Sequence, residues 1–575
     1  MKQKMAKKLA CIAFAGMMLP MAAQAADADL QLKVDKLTQE VNDLKGSVQR
    51  VQDKSLSKWL SIGGSYRFRM DNLHGETAGY TDAMATFANA QNTMQSGFFN
   101  SSNVYYYDAL GNPVLATSLT TPSASSVWQG YIGQMMTFSD NMNKVKTVSQ
   151  AGQFLTDNAN MLGAIKNYAV EVPASKPKNE TLYTSKFDLD LHAKATQDVT
   201  VNVKLDMYKT FGSQDDNATT GSYFSDRVGA FDGTLGHVPS TGLLNVDRAY
   251  ATWSNIAEQP VWFSVGRRPS SNGAPTNLKL NNERPGNGGT PALLVDYAFD
   301  GMTIGWAPDI EPLPGAYAKV CYGRGFDSGF KTSTNTVKDT DMLGVALIPV
   351  DTDPLRVWLQ WNRGFNIFDF PVMSDSTFGN TAPSTNLGSI DWYGAGAMTT
   401  LKDIGPGKLN FFADFGMSIT HPNDNVSAQA GFMGLGTGAF FAPEAPSDKT
   451  GYAAYAGVRY DLPSKTKLGF EYNHGSKDWI TFAPASDDMW TSKVGTRGNV
   501  YEGYVIQELD LKPISSYFSK TFFKVGYQYY DFQYTGSNNW VGAPVKISSI
   551  QSTDMLLLAP VKTAQDIYAT FEVKF

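Results

Sequence analysis

Residues Trp59–Asp71 read WLSIGGSYRFRMD. Leu60, Ile62, Tyr66, Phe68 and Met70 fall at alternate positions with Gly64 among them, and Ser61, Gly63, Ser65, Arg67, Arg69 and Asp71 lie between. This is the period-two pattern of a β-strand with one apolar and one polar face. In a soluble sandwich the aromatics would turn to a core and the arginines to water. In a membrane barrel the aromatics would meet lipid and the arginines a wet lumen. The rest of the chain has to decide.

Lys2, Lys4, Lys7 and Lys8 precede a short apolar run, Leu9–Ala23, and Ala23-Gln24-Ala25 is an A-x-A cleavage site. Residues 1–25 are therefore predicted as a secretory signal peptide. Cys321 is then the sole cysteine of the mature chain. That excludes an internal disulfide, a CxxCH haem site and a cysteine-based zinc cluster, and no cofactor is expected. Removing the four signal lysines from a net charge of −6 leaves the mature chain near −10. Nucleic acid, which needs a basic face, is not an expected partner. No later apolar run approaches the roughly 20 residues of a membrane helix. The mean hydropathy of −0.26 still permits a barrel, whose strands of about 10 residues are apolar only at alternate positions.

Residues 26–55 carry a different period. Leu30, Val34, Leu37, Val41, Leu44, Val48 and Val51 are spaced alternately by four and three, a heptad with valine at a and mainly leucine at d. The segment is predicted as a short periplasmic coiled-coil helix that joins copies of the chain. Gly46 weakens it, and a single amphipathic helix is the alternative. In parallel dimers, valine at a with leucine at d favours two strands.

From Trp59 onward, alternating segments and turns replace the heptad. Lys186, Asp188, Asp190, His192 and Lys194 alternate with Phe187, Leu189, Leu191 and Ala193. After a turn at Thr196-Gln197-Asp198, Val199, Val201, Val203, Leu205 and Met207 alternate with Thr200, Asn202, Lys204 and Asp206. Further hairpins turn at Asp351-Thr352-Asp353, Gly405-Pro406-Gly407, Pro463–Thr466 and Lys512-Pro513. Between the hairpins run long connections rich in Gly, Ser, Asn, Thr and Pro, near 72–180, 212–243, 269–291, 326–340, 366–388, 421–450, 476–497 and 535–563. Alternation of short turns with long connections marks an outer-membrane barrel with periplasmic turns and external loops.

Asp300-Gly301 resembles a tight hairpin turn, but a turn there would reverse every later strand. Parity instead predicts one descending strand with a kink or bulge at Gly301, followed by a periplasmic connection through Pro308–Pro314. The fold class is accordingly all-β: a transmembrane antiparallel β-barrel over residues 56–575. About sixteen strands are expected, within a range of roughly fourteen to eighteen.

At the C-terminus Ile567, Ala569, Phe571, Val573 and Phe575 are apolar at every second position. Phe571, Val573 and a terminal Phe575 resemble the signal read by the outer-membrane barrel assembly machinery. With the signal peptide and the alternating connections, the chain resembles a Gram-negative outer-membrane porin with an N-terminal coiled coil, a layout shared more distantly by the phosphate-selective porins. Ser264-Val265-Gly266-Arg267-Arg268-Pro269 is similar to channel proteins of metal-reducing anaerobic bacteria. The resemblance implies a porin fold, the outer membrane of a Gram-negative bacterium, its lipid as partner, and a homo-oligomer, with a trimer favoured. It implies no particular solute.

With lipid outside, strand phase assigns Arg67, Arg69, Lys186, Asp188, Asp190, Lys194, Lys204, Asp206, Arg268, Arg356 and Arg459 to the lumen, and Arg267 joins them as a pore-lining candidate at the end of its strand. Some of these arginines form a basic constriction favouring anions, or they pair with lumen carboxylates to stiffen the wall. The long connection 72–180 folds inward to narrow the pore, or caps its mouth. The five histidines are scattered and no HExxH or GxSxG motif is present, so neither catalysis nor a metal site is expected. The leading functional reading is passive diffusion of small hydrophilic solutes or ions. The alternatives are a barrel sheathing electron-carrying cytochromes and a cell-surface adhesion or anchoring barrel.

Overall fold

The computed structural model describes residues 59–100, 105–107, 113–115, 137–212, 244–270, 272–285, 291–333, 335–376, 379–483, 488–510 and 519–575. The signal-peptide and heptad readings lie outside these residues. The chain divides into two units, Met1–Ser61 and Ile62–Phe575. No described helix is long and apolar enough to cross a membrane.

Sixteen antiparallel strands close into a barrel. They are β1 (Leu60–Thr77), β2 (Lys178–Lys194), β3 (Val199–Thr210), β4 (Leu244–Trp253), β5 (Val261–Ser270) and β6 (Tyr297–Trp306). There follow β7 (Tyr317–Phe326), β8 (Thr340–Asp351), β9 (Leu355–Phe368), β10 (Asn386–Ile404) and β11 (Gly407–Pro422). The last are β12 (Lys449–Asp461), β13 (Thr466–Gly475), β14 (Gly498–Glu508), β15 (Lys520–Phe532) and β16 (Val561–Lys574). Each strand pairs with its sequence neighbours, and β1 pairs with β16 through Tyr66–Val573, Phe68–Phe571 and Met70–Ala569.

Alternation fixes which face is wet. Ile62, Met70, Val265, Ile304, Phe415, Phe470 and Val525 are exposed, whereas Arg69, Asp206, Lys319, Asp414, Glu471 and Lys524 are buried. Ile567 is 54% exposed while Asp566 beside it is fully buried. Apolar side chains outside and charged ones inside are the reverse of a soluble sandwich and the expected order for a barrel in lipid.

Turn chemistry agrees with this topology. Ile404 pairs with Gly407 across Gly405-Pro406, and Gly405 has φ +59°, suited to the first central position of a II′ turn. The strand through Asp300-Gly301 descends as parity requires, but without the expected bulge. Gly301 pairs with Gly266 on one side and Gly323 on the other, in unbroken register. Glycine is needed there because a Cβ would collide with the Tyr322 carbonyl oxygen. Short turns place the periplasm at one end and long connections the exterior at the other.

Candidate functional site in the lumen

The described parts of two connections fold into the lumen: residues 272–285 and 291–296, between β5 and β6, and residues 476–483 and 488–497, between β13 and β14. Asn272 N–H donates to Asp296 Oδ1 at 2.7 Å, closing the neck of the first segment. Its tip reaches the periplasmic end. There Lys574 Nζ donates to Asn282 Oδ1 at 2.6 Å, Asn281 donates to Glu508 at 2.9 Å, and Lys520 approaches Glu283 at 3.1 Å. The two segments join by backbone bonds, Asp296 N to Phe482 O and Phe482 N to Leu294 O, each 3.0 Å. Leu293, Leu294, Trp479, Ile480 and Phe482 then pack with Trp392, Phe412 and Tyr455 of the wall. Full burial of such side chains stabilises by roughly 1.5–3 kcal/mol each.

Beneath this apolar layer lies a buried charge cluster. Lys279 of the first segment meets Glu502 of β14 at 2.8 Å and Asp488 of the second segment at 3.1 Å. Lys493 meets Glu502 at 2.6 Å and also pairs with Glu471 of β13. Tyr568 donates to Glu502 at 2.7 Å, Tyr504 to Glu471 at 3.2 Å and Gln528 to Asp488 at 2.6 Å. Burial would lower the pKa of Lys493, but Glu471 and Glu502 outweigh it and hold the ammonium well above its ordinary value. Such pairing, completed by hydrogen bonds, is what a buried charge requires.

The candidates read from the sequence divide into braced and open groups. Arg69 is buried, held by Asp71 at 2.6 Å and Asp566 at 2.7 Å. It braces the β1–β16 seam and offers no open basic face. Arg67 stands in register with Glu572 and borders a small cavity of about 30 Å³ with Arg69, Lys279 and Lys524. Lys186 contacts Asp206 at 3.1 Å and Asp188 at 3.4 Å, and Lys204 contacts Asp188 at 3.4 Å. Asp190 and Lys194, nearer the periplasmic turn, are exposed. Arg268 donates to Ser264 Oγ at 2.7 Å and to Thr303. Arg267 departs from the lumen assignment. It pairs at 3.3 Å with Asp300, an exposed residue in phase with outward Met302 and Ile304, because consecutive strand residues face opposite sides.

Arg356 pairs with Asp351 at 2.7 Å. Arg459 pairs with Asp461 at 2.7 Å and donates to the Leu278 carbonyl at 2.6 Å. Both border a cavity of about 780 Å³ at the periplasmic end, enclosed by the turns and the tip of the first inward segment. Cations outnumber carboxylates on its wall: Arg284, Arg356, Lys402, Lys408, Arg459, Lys465, Lys467 and Lys520 against Glu283, Asp353, Asp403, Asp461 and Glu508. Lys402 and Lys408 are exposed.

The described parts of the long first connection pack on other external connections. Thr81 pairs with Met555, and Val148 N–H donates to Asp424 O at 2.9 Å. The helix Val148–Asp157 begins at a Thr147–Gln150 capping box and sets Phe154 edge-on to Phe432 at 5.4 Å. Among the described residues, then, the lumen is narrowed by 272–285, 291–296, 476–483 and 488–497; the sequence pattern reads 269–291 and 476–497 as long connections and residues from Ala292 as strand, whereas the strand begins at Tyr297. Glu471 was legible by strand phase; Lys279, Asp488 and Lys493 were not. The available signal was the apolar content of those two connections, Leu278, Trp479, Ile480 and Phe482, which is unusual for loops facing water.

A closed sixteen-strand antiparallel barrel with an apolar outer wall and a charged, internally filled lumen has the architecture of a transmembrane β-barrel of the outer-membrane type. The chain belongs to a family described as a protein of unknown function, DUF3373, whose model matches residues 176–575. Comparison with curated proteins finds no match. Among solved structures it is similar to OprB of Pseudomonas putida, at 11% identity over 93% of this chain and 97% of that one, with a TM-score of 0.40. It is also similar to an anion-selective porin from Comamonas acidovorans (9% identity, 90% and 99% covered, TM-score 0.37). A third is the outer-membrane channel DcaP of Acinetobacter baumannii (9% identity, 90% and 97% covered, TM-score 0.35).

Proposed function

We propose that this barrel is a channel for passive diffusion of small hydrophilic solutes, narrowed by its two inward segments and biased toward anions at its periplasmic mouth. The observation that carries this reading is the polar cavity of about 780 Å³ with its excess of lysine and arginine. In a low-dielectric channel such charges concentrate counter-ions and set selectivity. The cytochrome-sheath reading is less favoured, because the chain's own segments occupy the bore that a cytochrome would need.

Reversal potentials across planar bilayers containing the purified protein test the proposal. Anion preference that weakens when Lys402 and Lys408 are replaced by glutamine supports it. Absence of conductance, or cation preference unchanged by those replacements, defeats it. The same reading takes the chain as a homo-oligomer, a trimer by expectation, joined through the Leu30–Val51 heptad. Native mass spectrometry of the full chain and of a chain lacking residues 26–55 would test that.

A further inference from the structure

The external connections enclose a second cavity, of about 70 Å³, remote from the periplasmic mouth. Phe370, Met433, Val541 and Leu556 supply apolar walls, and among the described residues the one charged side chain lining it is Arg497. Arg497 is 2% exposed. Its guanidinium donates to three backbone carbonyls: Nε to Trp479 at 3.0 Å, Nη1 to Thr535 at 3.1 Å and Nη2 to Asn539 at 2.7 Å. A guanidinium carries five N–H donors, so two are left after these bonds.

No described carboxylate lies within ion-pair distance of Arg497; Asp478 acts on it only from farther away. Several other buried cations of this molecule are matched, Arg69 by Asp71 and Asp566, Lys493 by Glu471 and Glu502. Carbonyl dipoles orient a guanidinium but do not neutralise it, and a buried charge without a counter-charge is costly. Burial pulls the pKa of Arg497 down to about 10.

We infer that this cavity is a binding site for a small monocarboxylate, its carboxylate on the Arg497 guanidinium and its short apolar end against Phe370, Met433 and Val541. Size sets the class. A water needs about 10–15 Å³ of such space, so the cavity admits an anion of a few heavy atoms and excludes sugars and long-chain fatty acids. The walls set the rest, since among the described residues they offer no further charged donors for a phosphate or sulfate. Guanidinium–carboxylate bonds are charge-assisted and geometrically matched.

The test is titration of the purified full-length protein in detergent with sodium propionate, followed by calorimetry at constant ionic strength. Propionamide, of the same shape without the charge, serves as control. Propionate is expected to bind at least about tenfold more tightly than propionamide, and Leu556→Trp, which fills the cavity and leaves the three carbonyl bonds intact, is expected to abolish binding. Arg497→Gln should do the same; should it fail to fold, Leu556→Trp still gives the answer. Equal affinity for propionate and propionamide, no propionate binding, or unchanged binding by the folded Leu556→Trp variant would each overturn the assignment.

Discussion

Lys279 and Glu502 meet at 2.8 Å inside the barrel, joining an inward connection to the wall on the far side of the sequence. Glu502 also holds Lys493 at 2.6 Å, so one carboxylate anchors both segments that fill the lumen. Removing it leaves two ammonium groups buried with reduced compensation. Glu502→Gln is expected to lower stability by about 3–5 kcal/mol, the usual effect of breaking a buried pair from one side. It should also raise single-channel conductance, because the segments lose their common anchor. Urea unfolding and bilayer recordings check the two effects separately; conductance equal to wild type would show that Glu502 does not hold the constriction.

The raised pKa of Lys493 gives this anchor a pH dependence of definite sign. A cation whose folded pKa lies above its unfolded value contributes stability that is complete below the unfolded value and lost as pH rises through the folded one. The unfolded reference is near 10.5 and the folded value lies well above it. The Lys493 contribution should therefore be constant through neutral pH and vanish only in strong alkali. Comparing the pH dependence of unfolding in wild type and Lys493→Met isolates it. A difference between the two that changes between pH 7 and 9 would contradict the assignment.

Arg69 is expected to matter for stability and not for selectivity. Arg69→Met leaves Asp71 and Asp566 facing each other without a cation, and about 3–5 kcal/mol of stability should be lost. The reversal potential of protein that does fold should match wild type.

Lys402 and Lys408 are expected to show the opposite behaviour. Both are exposed at the rim of the periplasmic cavity, and surface charges away from packed features change stability by only about 0.5 kcal/mol or less. Replacing both by glutamate should move the reversal potential toward cation preference while the unfolding midpoint stays in place.

Gly301→Ala tests the strand that parity required. Its Cβ would strike the Tyr322 carbonyl, and relief requires the β6–β7 pair to spread. A loss of about 1–3 kcal/mol is expected, as for other overpacked sites. Urea unfolding of the folded variant measures it.

Strand number, strand phase and the direction of every hairpin were legible because a barrel wall repeats with period two, and each apolar face is set by the lipid it meets. The path of Gly301 could be read from parity alone; its unbroken register could not, because that depends on how closely Gly266 and Gly323 approach it. The state of Arg69 was likewise hidden, since its partner Asp566 lies 497 residues away. Lys279 and Lys493 escaped notice for a different reason. Their segments have no period, and their glycines, asparagines and prolines look like those of a solvated loop. Leu278, Trp479 and Phe482 were the visible contradiction of that reading.

The first inward segment leaves the wall after the fifth strand, yet it is secured chiefly by the last four: Lys467 and Glu508 bracket its tip, and Lys520, Lys524 and Lys574 hold it from β15 and β16. During biogenesis those strands are the last to be made. A chain halted before them would have neither a finished wall nor a settled interior. The contacts that fix the obstruction are thus made by strands that also complete the cylinder, so wall and interior share their final anchors.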